Sequence, residues 1–127
     1  AMNPKRLLII DDEPGFGEFV RQVALALDYE VTVTTHGQAF QKCYAEVQPT
    51  LIILDMIMLD IDGNELLLWA LQQGYTSDLI ITTGYGADYA RDAKTLAEFM
   101  GLRTVTTLVK PITLPQLRAA LNRQNPP

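Results

Sequence analysis

Leu7-Leu8-Ile9-Ile10-Asp11-Asp12-Glu13 sets an unbroken apolar run directly against three consecutive acids. Four apolar residues in a row, without alternation, read as a strand covered on both faces, and such strands belong to parallel sheets flanked by helices. The same pattern recurs twice. Leu51-Ile52-Ile53-Leu54 runs into Asp55, and Leu79-Ile80-Ile81 runs into Thr82-Thr83-Gly84. Two β-branched stretches, Glu30 to Thr34 and Thr104 to Val109, read as further, less central strands, the second running into Lys110-Pro111.

Between these runs the apolar residues fall at helical spacing. Phe16, Phe19, Val20, Val23 and Leu27 predict one helix, and Phe40, Cys43, Tyr44 and Val47 a second. Leu66, Leu67, Ala70 and Leu71 follow Gly63 as a third. Tyr89, Ala93, Leu96, Ala97 and Met100 predict a long fourth helix over 88–100, stopped by Gly101 as a C′ glycine. Leu114, Leu117, Ala120 and Leu121 mark a fifth, opened by Thr113 and Gln116 at capping-box spacing. Five β-α units in strict alternation imply parallel strands joined by right-handed crossovers. Five strands close as an open doubly wound α/β sheet, since a barrel of this kind needs eight. The length of 127 residues suits a single domain over 1–127, with 122–127 as a tail or the start of a linker.

Composition narrows the function classes. Fifteen Asp plus Glu against ten Lys plus Arg leave a net charge of −5, which argues against direct contact with nucleic-acid phosphates. Cys43 is the only cysteine, so there is no disulfide scaffold, and as it lies on an apolar helix face it reads as a core thiol. One histidine, His36, builds neither a zinc site nor a catalytic triad, and it reads as a surface turn residue at a helix start. No apolar run approaches the roughly 18 residues of a membrane span, and no signal peptide is visible, which predicts a cytoplasmic chain that does not contact a membrane.

The chemistry gathers where the strands end. In an open parallel sheet ligands bind at the carboxyl ends of the strands. Asp11, Asp12, Asp55, Thr83 and Lys110 all fall there. Carboxylates brought together repel, and burial raises the cost. A hard divalent cation relieves it, and Mg²⁺ suits one or two carboxylates, water and a phosphate. Lys110 adds a mobile positive charge expected to pair with Asp55 at rest, and a threonine hydroxyl donates one hydrogen bond to a phosphoryl group. A metal clamp, an acceptor carboxylate, a cation and a hydroxyl are what in-line phosphoryl transfer onto a carboxylate requires.

In order and at near-family spacing, Leu8-Ile9-Ile10-Asp11-Asp12-Glu13, Asp55 with Met58 and Gly63, Thr83-Gly84 and Lys110-Pro111 resemble the receiver domain of bacterial two-component response regulators. The resemblance implies a flavodoxin-like (βα)5 fold with strand order 2-1-3-4-5. It implies that Asp55 accepts a phosphoryl group from the phosphohistidine of a sensor histidine kinase or phosphotransfer protein. Asp12 would bind Mg²⁺ (or Mn²⁺) directly, Asp11 mainly through water, with Asp55 and the backbone carbonyl of Ile57 completing the protein ligands. Thr83 would be the switch hydroxyl and Lys110 the switch lysine, with a cis Lys110-Pro111 bond. Such a module catalyses only its own phosphorylation and dephosphorylation, and its output domain or target is not named by these residues. Two other readings stand beside it. One is a non-phosphorylated docking module, against which the full set of site residues argues. The other is a Mg²⁺-dependent aspartyl phosphatase, whose D-x-D pair differs from the contiguous Asp11-Asp12.

Several positions depart from the family or allow two readings. Leu59 stands where the family usually has proline, and Thr107 where it usually has an aromatic ring that couples the switch threonine to output. Ile57 and Tyr85 flank the route of attacking water in this family, and their bulk predicts slow loss of the phosphoryl group. Thr82 is expected to face opposite to Thr83. Glu13, Asp60 and Asp62 read as solvated loop or turn acids, and Met56 and Met58 as loop packing. Leu68 and Trp69 either project outward, as an interface for a kinase, an output domain or a second copy in a homodimer, or lie partly buried under a neighbouring helix.

Overall fold

A computed structural model describes residues 4–123. Five strands, β1 (Arg6–Ile10), β2 (Glu30–Thr34), β3 (Leu51–Asp55), β4 (Asp78–Thr83) and β5 (Thr104–Val109), alternate with helices α1 (Pro14–Ala26), α2 (Gly37–Val47), α3 (Gly63–Gln72), α4 (Arg91–Phe99) and α5 (Leu114–Arg123). The strands form one parallel sheet in the order β2-β1-β3-β4-β5. The expected fold class and strand order are therefore the observed ones.

Alternation along each strand sorts side chains between two cores. Leu7, Ile9, Leu51, Ile53 and Ile80 pack with Val20 and Ala24 of α1 and Leu117, Ala120 and Leu121 of α5. Leu8, Ile10, Ile52, Leu54, Leu79 and Ile81 pack with Phe40 of α2, Leu66, Leu67, Ala70 and Leu71 of α3, and Ala93 and Ala97 of α4. Covering both faces explains why the central strands carry unbroken apolar runs. Cys43 packs against the second core, as expected, and Met56 lies fully inside it.

The helix ends follow local chemistry. Thr113 and Gln116 form the capping box, the Gln116 N–H donating to Thr113 Oγ1 at 3.2 Å and the Thr113 N–H to Gln116 Oε1 at 2.8 Å. His36 caps α2, its Nδ1 accepting from the Ala39 N–H, and Asp62 caps α3 by accepting from the Asn64 N–H. Gly101 takes φ +90°, as a C′ glycine does.

Three expectations change, and for Trp69 the open choice resolves to burial under a neighbouring helix. The fourth helix is broken: a 3₁₀ turn over Ala87–Ala90 precedes α4, so Tyr89 belongs to the turn. A period read over one turn does not separate 3₁₀ from α geometry. Trp69 does not project outward, because Phe40 and Tyr44 of α2 close over it at ring distances of 6.2 and 5.3 Å in edge-on contacts, leaving only Leu68 exposed. Asp60 is not merely solvated, since its carboxylate accepts from the Gly37 N–H at 2.8 Å and ties the loop after β3 to the start of α2. Helix α5 runs through Arg123, two residues into the expected tail, and the rest of that tail, 124–127, lies outside the described residues.

Gly63 fixes how closely α3 approaches β3. A Cβ there would sit 2.6 Å from Met56 Cα and 2.8 Å from the Asp55 carbonyl oxygen. Both are backbone atoms next to the site, so neither can rotate away. Gly63→Ala is expected to lower stability by about 1–3 kcal/mol through overpacking. Urea unfolding checks it, and an unchanged midpoint would count against this close approach.

Candidate functional site

The parallel register brings the carboxyl ends of β1, β3, β4 and β5 to one edge of the sheet. Asp11 and Asp12 follow β1, Asp55 ends β3, Thr83 ends β4 and Lys110 follows β5. Asp11, Asp12 and Asp55 each present a carboxylate oxygen within 4.8 Å of the others. Asp11 and Asp55 are buried and Asp12 is half-buried.

Backbone donors orient these acids. The Glu13 N–H donates to Asp11 Oδ1 at 2.9 Å and the Ile57 N–H to Asp55 Oδ1 at 3.2 Å, each closing a two-residue turn after a strand. The Leu59 N–H donates to Asp12 Oδ2 at 3.1 Å, so the loop after β3 folds over the acid that follows β1. A proline at 59 would lack this donor.

The Lys110 ammonium reaches across from β5. It donates to Asp11 Oδ2 at 2.7 Å, lies 3.5 Å from Glu13 Oε1 and 3.6 Å from Asp55 Oδ2, and sits 4.7 Å from the centre of the Phe16 ring. The resting partner is therefore Asp11, with Glu13 and Asp55 both farther off, which corrects the expected Lys110–Asp55 pair. Asp11 and Asp55 are both buried and each accepts one backbone N–H, so either gains from a charged donor, and the ammonium sits on Asp11. The Lys110-Pro111 bond is cis. Glu13, which in the family sits near the metal pocket and which reads in the sequence as a solvated acid, reaches Lys110, while the place of Phe16 beside Lys110 is not legible in the sequence.

Electrostatics follow from crowding. Burial raises the Asp55 pKa from 3.8 to about 6, with the charges of Asp11 and Asp12 adding to it and the Ile57 N–H and Lys110 opposing it. Burial likewise raises Asp11, against the lowering pull of its Lys110 hydrogen bond. For Lys110, burial favours the neutral amine, but the hydrogen bond and charge of Asp11, then the charges of Asp55 and Glu13, outweigh it and raise its pKa.

Thr83 is fully buried, and its hydroxyl accepts from the Tyr85 N–H at 3.1 Å, turned toward the following loop instead of the carboxylates. Thr82 is buried with no hydrogen-bond partner for its hydroxyl. Strand alternation sets it on the opposite face from Thr83, as expected. A second polar cluster lies at the far edge of the sheet, where buried Asp78 takes a bidentate hydrogen bond from Arg103 at 2.9 and 2.6 Å. The sequence reading does not find it, because it begins β4 one residue later, at Leu79.

A parallel sheet in the order 2-1-3-4-5 with three acids and a lysine at its carboxyl edge defines the receiver architecture. The family model for the response regulator receiver domain matches residues 7–122, and the chain belongs to that family. It is 32% identical over 120 residues to the probable C4-dicarboxylate response regulator DctR of Halalkalibacterium halodurans, covering 93% of this chain and 50% of that protein. It is 30% identical over 122 residues to the transcriptional regulatory protein TrcR of Mycobacterium tuberculosis, covering 94% and 44%. The chain thus spans about half the length of these curated relatives. A response regulator structure from Colwellia psychrerythraea superposes with a TM-score of 0.78 at 28% identity, covering 95% of this chain and 96% of that one. The response regulator TrrA of Thermotoga maritima, solved in complex with Mg²⁺-BeF, gives a TM-score of 0.75 at 24% identity, covering 94% and 98%. Among the described residues no helix is long and apolar enough to cross a membrane.

The raised Asp55 pKa carries a stability consequence with a definite sign. The folded state binds this proton more tightly than the unfolded chain, so the favourable contribution is present below pH 3.8 and is lost as pH rises toward about 6. Above that the ionised carboxylate costs up to about 3 kcal/mol. Asp55→Asn is expected to stabilise the fold by about 1–3 kcal/mol at pH 7.5 and hardly at all at pH 4. Thermal melts at the two pH values check it, and equal gains at both would contradict a crowded, desolvated Asp55.

Proposed function

We propose that this receiver domain takes a phosphoryl group from the phosphohistidine of a sensor histidine kinase or phosphotransfer protein onto Asp55. The observation that carries the reading is the convergence of Asp11, Asp12 and Asp55 within 4.8 Å, with the Lys110 ammonium against two of them. An Asp55 oxygen attacks phosphorus, the P–N bond to imidazole breaks, and the bonding pair leaves with the imidazole nitrogen.

The donor set fits a hard divalent cation, because three crowded carboxylates, two of them with raised pKa, gain from an oxygen-seeking charge between them. Asp11, Asp12, Asp55 and the backbone carbonyl of Ile57 would hold Mg²⁺ or Mn²⁺, which supplies charge neutralisation between the carboxylates and the phosphoryl oxygens. Lys110 exchanges its bond with Asp11 for a phosphoryl oxygen, starting from 3.6 Å off Asp55. Thr83, buried at the end of β4, donates its hydroxyl to another phosphoryl oxygen. The TrrA complex with Mg²⁺-BeF shows that a protein of this fold accepts a metal together with a phosphoryl mimic.

The module signals through its surface and turns over no separate substrate, in the cytoplasm where such domains usually act. The named relatives are regulatory proteins about twice as long, so the output lies with other chain segments or partners.

Beryllofluoride with Mg²⁺ tests this reading. Binding is expected in the parent chain and lost in Asp55→Asn, followed by amide chemical shifts at residues 55, 83 and 110. No binding in the folded parent would favour the docking module, and steady release of phosphate from small esters would favour the phosphatase. Ile57, 36% exposed, and Tyr85, 70% exposed, stand on the loops after β3 and β4 that flank Asp55. Their bulk hinders water approaching the phosphoryl group. Ile57→Asn with Tyr85→Ala is expected to shorten its half-life by about tenfold, and a half-life that hardly moves would remove both residues from that role.

A further inference from the structure

The loops after β3 and β4 flank Asp55, and one side chain pairs with a residue of the second and faces the same groove as the first. The Tyr89 ring pairs with the Tyr85 ring at 5.4 Å, tilted by 38°. On its other side Tyr89 lines a groove with Ile57, Met58 and Leu59 of the loop after β3. Its own position is fixed from below, because its N–H donates to the Gly86 carbonyl at 3.2 Å as the 3₁₀ turn begins.

Tyr85, in contrast, has little to hold it. Gly84 and Gly86 stand on either side, Gly86 at φ +97°, and a Cβ at either glycine would meet nothing within 4 Å. Two contacts fix the residue: its N–H bond to Thr83 Oγ1 at 3.1 Å, and the Tyr89 ring. A ring between two glycines, 70% exposed, stays beside the acceptor only where something braces it.

We propose that Tyr89 is a positioning residue for hydrolysis of the phosphoryl group on Asp55: it holds Tyr85 across the approach of water, and the Thr83 hydroxyl controls the other end of the same brace. The inference rests on the phosphoryl-transfer reading. In hydrolysis a water oxygen attacks phosphorus, the P–O bond to Asp55 breaks, the carboxylate keeps the bonding pair, and inorganic phosphate leaves with the water proton released to solvent. Tyr89 takes no part in those bonds and acts through where Tyr85 lies. When Thr83 turns to the phosphoryl group, the Tyr85 N–H loses its present partner and the ring contact with Tyr89 is what remains. Movement of Thr83 is thereby transmitted into the 3₁₀ turn that leads to α4, through the loop after β4. Thr107, half-buried on β5 without an aromatic ring, offers no such route.

Acetyl phosphate labelling with Mg²⁺, followed by decay of the label, tests the proposal. Tyr89→Ala is expected to shorten the half-life by about threefold to tenfold, as loss of one aromatic contact allows. Tyr89→Phe keeps the ring and the parent half-life. Tyr85→Ala with Tyr89→Ala is expected to decay no faster than Tyr85→Ala alone, since the two act as one unit. Tyr89 is 54% exposed, so its truncation spares the core, and Tyr89→Leu serves as a second truncation with the same expected direction. Normal labelling with an unchanged half-life in Tyr89→Ala, equal shortening in Tyr89→Phe, or additive effects of the two tyrosines would overturn the brace alone. A folded parent chain that takes no label would overturn the phosphoryl-transfer reading and the brace with it.

Discussion

Three carboxylates share one edge of the sheet with one lysine, and most of the local structure follows from how that charge is managed. Asp11, Asp12 and Asp55 crowd within 4.8 Å, and Lys110 reaches only two of them. Each acid is also held by a backbone N–H: Glu13 on Asp11, Ile57 on Asp55, and Leu59 on Asp12. These donors keep the acids from relaxing apart. The edge is thus built to hold more negative charge than it neutralises, and burial raises both deep acids toward protonation in consequence.

Such a deficit needs a rigid frame. The parallel register supplies it, setting Ile10 beside Leu54 and Asp55 beside Thr82, so that the chain exits each strand at the same level. Gly63 lets α3 begin against the backbone of residues 55 and 56, and Asp60 ties the intervening loop to α2. The Gly84-Tyr85-Gly86 segment carries its aromatic ring on a loop, between two glycines. The division is physical: the carboxylates at strand ends are held by backbone donors, and Tyr85, proposed to stand in the path of water, lies between two glycines.

Much of this was legible from residues alone. Unbroken apolar runs meet polar residues at Asp11, Asp55 and Thr82, a β-branched stretch meets Lys110, and that grammar carries both the parallel sheet and the edge where the site lies. The parts that were not legible share one cause: they depend on distances between elements far apart in sequence. Helical spacing placed Trp69 beside the apolar face of α3 but held no information on how far Tyr44 of α2 reaches over it. The choice of Asp11 over Asp55 by Lys110 is a difference of 2.7 against 3.6 Å between side chains from separate strands, which no spacing records. The break before α4 falls at Ala90, at φ −101° and ψ 3°, in a pattern that otherwise reads as continuous helix.

The claim that the acidic edge is a charge deficit made for a cation is tested most directly by Mg²⁺ calorimetry in buffers of different ionisation enthalpy, which counts the protons released on binding. Near pH 5.5 a large part of Asp55 is protonated, so binding is expected to be weak and to release close to one proton; near pH 8 it is expected to be tighter and to release none. Mg²⁺ binding of equal strength at both pH values with no proton release, or no binding at either, would contradict it.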